Sequence, residues 1–173
     1  MNEMNVDLEA LPIGDDAPEL VNVVVEVPVG SRNKFEYEPE LGVIVRDRVL
    51  PGNIRYPADY GFVPSTESAD GEPLDIMVAA YEPVFSGCVV QARIVGALEM
   101  TEAGDSEYNI FAVPSGDARF DDITSLEDMP EQNLHEIEQF FVAFKRLEGD
   151  EDAEVQGWCG LEETYEIIRR STR

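Results

Sequence analysis

Seven short runs rich in valine, isoleucine and aromatic residues, most of them separated by glycine, proline or asparagine, constrain this chain more than any other feature. Val21 to Val27 places valine at every odd position, which buries one face and turns Glu26 to the other. Lys34-Phe35-Glu36-Tyr37 alternates as well, with Lys34 and Glu36 sharing a face. Val43 to Leu50 stops at Pro51-Gly52-Asn53 and sets Arg46 and Arg48 on the side of Ile44 and Leu50. Leu74 to Val78 reads as a buried strand, Cys88 to Met100 as a long β-branched one, and Tyr108 to Val113 and Val155 to Trp158 complete the set. Short strands joined by turns specify a closed or partly open barrel.

The end of the chain changes period. Leu134, Ile137, Phe140, Phe141, Phe144 and Leu147 follow helical spacing, with Asp128 as the expected cap and Pro130 in the first turn. Lys145 lies one turn beyond Phe141, and His135 falls on the polar side and is read as a surface residue. Leu161 to Arg170 forms a second helix whose terminal arginines suit the dipole. Residues 1 to 19 are acidic and irregular, Tyr56 to Pro64 is a loop dense in aromatics, and Thr101 to Glu107 is a hairpin-like loop. Without a linker or repeat, residues 1–173 read as one domain.

Charge narrows the function. A formal net charge of −25 argues against nucleic acid or an anionic membrane as partner, since both need a basic footprint. It fits a salty cytoplasm or a heavily solvated acidic surface. An N-terminus carrying acids, the absence of long apolar runs and the lack of a CxxC pair place the expectation in the cytoplasm, with Cys88 and Cys159 as small hydrophobes. Lys34 and Lys145 are the only lysines beside ten arginines. If the ligand is an anion, local cations or bound metal must overcome the field of the whole molecule.

Asp70-Gly71-Glu72-Pro73-Leu74-Asp75 offers three carboxylates in six residues. Asp70-Gly71 favours a turn and Pro73 stiffens it, so Asp70 and Glu72 converge while Asp75 leaves the strand base toward them. Carboxylate oxygens without His or Cys suit a hard cation such as Mg²⁺ or Mn²⁺. An acid-rich chain also produces such windows without a ligand. The Lys34/Glu36 pair is likewise either an exposed cross-strand pair or part of a site. Arg48 is either a solvated edge residue or an anion clamp. Tyr56 and Tyr60 either aim hydroxyls at one point or cover the core.

The stretches VVVEVPVGSRNKFEYEPELGVIVRDRVLPG, YPADYGFVPST, DGEPLDIMV, EQFFVAFKRLE and the following GW resemble, in order and spacing, the soluble inorganic pyrophosphatases of family I, bacterial and archaeal type. The resemblance implies an α+β, mainly β fold: an OB-like five-stranded barrel with extra short strands and two flanking C-terminal helices. It implies Mg²⁺-dependent hydrolysis of pyrophosphate to two phosphates, and a homohexamer. It makes Lys34, Arg48, Tyr60 and Lys145 contacts to phosphoryl oxygens with Tyr56 close by, Glu26 and Glu36 acidic site positions, and Asp70 and Asp75 metal ligands.

The chain departs from that pattern where the chemistry happens. Glu72 stands where the family has an aspartate general base, and Glu102 and Glu107 stand for two metal-ligand aspartates. Asn109 replaces a lysine and Phe144 a tyrosine. Each exchange of Asp for Glu moves a carboxylate by about 1.5 Å, and misplacement of that order costs on the order of a hundredfold in rate. The leading expectation is a hydrolase with a modified metal shell. The alternatives are a paralogue that binds phosphate or another phosphoanhydride with little or no hydrolysis, and an acidic interaction module without an active site.

Overall fold

The computed structural model describes residues 6–173, so the first five residues of the acidic lead-in lie outside the described part. Its strands are β1 (Leu20–Val27), β2 (Asn33–Glu38), β3 (Val43–Val49), β4 (Asp59–Val63), β5 (Leu74–Val78), β6 (Val89–Glu102), β7 (Asp105–Pro114) and β8 (Glu154–Cys159). Its helices are α1 (Glu131–Leu147) and α2 (Leu161–Ser171). The strands β1-β4-β5-β7-β6 form a ring that closes by pairing β6 back to β1, with β8 attached to the far half of β6. All neighbours in the ring run antiparallel except β5 and β7. This is the expected OB-like barrel, mainly β, flanked by two helices.

β6 pairs with three strands because it is long and kinked: residues 89 to 93 pair with β1, residues 97 to 101 with β8, and the register against β7 slips between Ile94 and Gly96. A bulge of this kind bends a strand and re-aims its side chains. Gly61 in β4 does a different job. A Cβ there would lie 1.8 Å from the Val24 carbonyl oxygen, so only glycine lets β4 approach β1 as it does.

The core divides around the barrel wall. Val21, Val23 and Val25 pack with Ile76, Ile110 and Ile94 and with Ile167 and Ile168 of α2. Met77, Phe111, Val95 and Leu98 pack instead against Ile137, Phe140 and Phe141 of α1. β1 is therefore buried on more than its odd face, since Val24 is covered by Tyr37 and Phe62.

Several local expectations change. Asp59 to Val63 is a barrel strand rather than part of a loop; its alternation is hidden by glycine and by burial on both faces. Of the expected Thr101 to Glu107 loop only Ala103 and Gly104 form the turn, both with positive φ (51° and 87°), and Glu102 and Glu107 sit on the strands. Positive φ at both central residues is the turn that matches strand twist. Asp128 does not cap α1, where Pro130 holds that position; its carboxylate accepts from the Thr124 and Ser125 amides and closes the preceding turn. Leu147, expected on the apolar stripe, is exposed at the C-terminal end of α1.

Candidate active site

The Lys34/Glu36 strand, the acidic loop and the end of α1 meet over the outer face of the barrel wall, on the side opposite Val25, Ile76 and Ile110, and enclose a cleft of about 520 Å³. Glu26, Lys34, Glu36, Tyr56, Tyr60, Asp70, Glu72, Asp75, Glu107 and Lys145 all line it. Arg48 and Glu102 complete the twelve expected residues at its margin, each held by a residue inside: Arg48 by Glu148, and Glu102 by Lys145 at 2.9 Å.

Each side of the cleft has a local cause. β2 carries Lys34 and Glu36 on one face, and their charged groups meet at 2.5 Å. In β3 the pairing with β2 slips at Asp47, so Lys34 stands opposite Arg48 while Phe35 stands opposite Arg46. That slip breaks the even alternation expected for β3, leaving Arg46 exposed and Arg48 half-buried. In the acidic loop Asp70 accepts from the Glu72 amide at 2.9 Å and from the Ser68 hydroxyl, while Gly71 takes φ 87°. The expected turn is thus present and aims Glu72 outward from a fixed base. Asp75, the second residue of β5, is exposed to the cleft that it lines.

On the opposite wall Lys145 reaches from the last turn of α1 to Glu107 at 2.7 Å and Glu102 at 2.9 Å. Only 17% of the Lys34 side chain and 18% of the Lys145 side chain is exposed, so neither is an ordinary surface lysine. Burial pulls the Lys145 ammonium toward deprotonation, but Glu107 and Glu102 outweigh it and hold the lysine charged. Glu102 is in turn held low, at about 2, by hydrogen bonding with Asp150 and Lys145.

The carboxyls deeper in the cleft are short of positive charge. Burial pushes Glu26 up to about 8; the Tyr37 amide, donating at 2.8 Å, offsets part of this, while Asp75 and Glu36 add to it. Water reaches Asp75 from the cleft mouth, yet protein crowds its other sides. Desolvation therefore pushes Asp75 up to about 7, aided by Asp70 and Glu107 and opposed by the Tyr60 hydroxyl and Lys145. Carboxyls raised in this way invite a cation, because they hold protons that a divalent ion would displace.

The donor set fits a hard divalent ion: oxygen ligands from Asp70, Asp75, Glu102 and Glu107, without sulfur or imidazole among them. Among the described residues no three acidic, His or Cys side chains are gathered tightly enough to ligate an ion as they stand. The ion pairs explain this, since Lys145 sits between Glu102 and Glu107 where an ion would draw them together. Tyr56 adds a hydroxyl that is buried and without a hydrogen-bond partner, while its ring packs on Tyr60 and Phe140. Its ring therefore covers the core, one of the two roles the sequence left open, while its hydroxyl is left without a partner.

Sequence reasoning missed three acids. Glu148 pairs with Arg48 and lies 3.8 Å from Lys34. Its signal was available, because it follows Lys145 by three residues, nearly one helical turn. Glu9, from the acidic lead-in, lines the cleft, and its carboxyl is raised by burial and by the charge of Glu72. Asp47 lies 3.2 Å from Lys34. No periodicity in the sequence pointed to either.

The profile of the inorganic pyrophosphatase family matches residues 23–173. The inorganic pyrophosphatase of Thermus thermophilus is 44% identical over 165 residues, covering 94% of each chain. That of Halobacterium salinarum is 42% identical over 163 residues, covering 94% of this chain and 92% of the other. Among solved structures, the crystal structure of the Thermus thermophilus inorganic pyrophosphatase superposes with a TM-score of 0.91 at 43% identity, covering 96% of this chain and 97% of that one.

Proposed function

Because this chain belongs to the inorganic pyrophosphatase family and hydrolyses pyrophosphate to two phosphates, we propose the following division of labour in the cleft. One observation carries it: the only two lysines of a strongly acidic chain open into the same carboxylate-lined cleft.

Lys34, Arg48 and Lys145 hold phosphoryl oxygens, with Arg48 able to engage two at once. Tyr56 offers its unpartnered hydroxyl to the same oxygens. Tyr60, beside Asp75, orients that carboxylate. Glu72, at the tip of its stiff loop, accepts the proton of the attacking water, which forms a bond to one phosphorus as the bridging P–O bond breaks and the second phosphate departs. Asp70, Asp75, Glu102 and Glu107 hold divalent metal, with Glu26 and Glu36 behind them; the family implies such a cofactor, and we assign Mg²⁺ with Mn²⁺ as substitute from the all-oxygen donors. Held by these carboxylates, such an ion would supply a water of lowered pKa and screening of charge on the phosphoryl group.

Substrate entry is an exchange of partners. Lys145 leaves Glu102 and Glu107, and Lys34 and Arg48 leave their carboxylates, as phosphoryl oxygens replace them.

Residues 1–173 act as one unit in this reading. Two free cysteines fit a reducing cytoplasm, and family membership supports a homohexamer. Among the described residues no helix is long and apolar enough to cross a membrane. The test is phosphate release from pyrophosphate with Mg²⁺ or Mn²⁺ and then with chelator. Turnover that chelator abolishes is expected; turnover unaffected by chelator overturns the metal assignment, and none under any condition overturns hydrolysis.

A further inference from the structure

Lys34 and Arg48 stand opposite each other on the β2–β3 hairpin, and a carboxylate from a different element bridges them. Glu148 Oε1 contacts Arg48 Nη2 and lies 3.8 Å from Lys34 Nζ, and Glu148 itself lines the cleft. Glu36, 2.5 Å from Lys34, and Asp47, 3.2 Å from Lys34 and 3.8 Å from Arg48, are also close, but both belong to the cations' own hairpin and move with it. Glu148 is the C-cap of α1, where the helix dipole disfavours a negative charge. The two cations are what offset that cost.

One oxygen placed against both a guanidinium and an ammonium is the arrangement a phosphoryl oxygen requires. We propose that Glu148 is an internal stand-in for phosphate: it holds Lys34 and Arg48 in their binding arrangement in the free protein and yields them when a phosphate arrives. The proposal rests on the assignment of Lys34 and Arg48 to the phosphoryl group.

The consequence is a tuned affinity. An incoming anion must displace a carboxylate of charge −1, so a singly charged anion gains little while a multiply charged phosphate gains enough to win. The same competition speeds departure of product, because Glu148 returns to the cations as phosphate leaves. Glu148 is thus a positioning residue that sets how tightly phosphate is held.

The experiment is calorimetric titration of inorganic phosphate into the unaltered protein and Glu148→Gln at one ionic strength. Removing the competitor is expected to tighten phosphate binding about tenfold, the scale of one half-buried charge pair. The KM for pyrophosphate is expected to fall in parallel, with kcat unchanged or lower as product release slows. Glu148→Asp, which keeps the charge but shortens the reach, is expected to fall between the two. Structural damage weakens binding, so tightening is not an outcome that damage produces. Equal or weaker phosphate binding by Glu148→Gln overturns the proposal and makes Glu148 a prop for Arg48, and no phosphate binding by either protein overturns it too. Turnover of pyrophosphate by the unaltered protein separately tests the functional reading, whatever the ratio of phosphate affinities.

Discussion

Glu72 and Glu26 show how one side-chain type takes different roles in the same cleft. Glu72 is exposed at the tip of a loop whose backbone is tied by Asp70, so it is placed without being desolvated. Replacing it by Gln removes the proton acceptor and is expected to lower phosphate release at least about a hundredfold. Glu72→Asp restores the aspartate of the family pattern and is expected to keep or raise the rate. A Gln variant with unimpaired release would show that another group takes the proton. Glu26 is the opposite case, with an ordinary pKa of 4.5 raised to about 8 by burial. A raised carboxyl stabilises the fold fully below pH about 4.5, where both states hold the proton, and that contribution is lost progressively as pH rises toward 8. Chemical denaturation in chelator should therefore show a fall in stability across this window that Glu26→Gln flattens.

At the scale of elements, close approach decides more than propensity does. The density of aromatics, proline and glycine from Tyr56 to Pro64 predicts a loop, yet Gly61 within it is what lets β4 pair with β1 in the barrel wall. Gly61→Ala drives a methyl into the Val24 carbonyl, and urea denaturation should report a loss of about 3 kcal/mol or failure to fold. The β6–β7 hairpin makes a related point. A two-residue turn carries both strands to their ends, so Glu102 and Glu107 stand on rigid backbone, near enough for one ammonium to bind both. The sequence marks a hairpin-like loop from Thr101 to Glu107, and strand pairing shortens it to the two residues of the turn.

For the whole molecule the governing quantity is a net charge of −25. Self-repulsion destabilises a compact acidic protein and is screened by salt, so the melting temperature should rise between 0.05 and 1 M monovalent salt, values chosen to span Debye lengths of roughly 14 to 3 Å. Mg²⁺ at equal ionic strength should raise it further, because binding to the folded state adds stabilisation by mass action. An equal response to both salts would show that no specific ion site is formed. The sequence by itself pointed to a barrel, since alternating strands and turn residues are local patterns, although it hid β4, and it singled out the residue types of the candidate site, since two lysines stand out among so many acids. Only the tertiary structure decided who pairs with whom. Ion pairs such as Glu148 with Arg48, or Lys145 with Glu102 and Glu107, join residues far apart in the chain. Coulombic attraction depends on distance through space, and periodicity along a strand or helix carries no record of that distance.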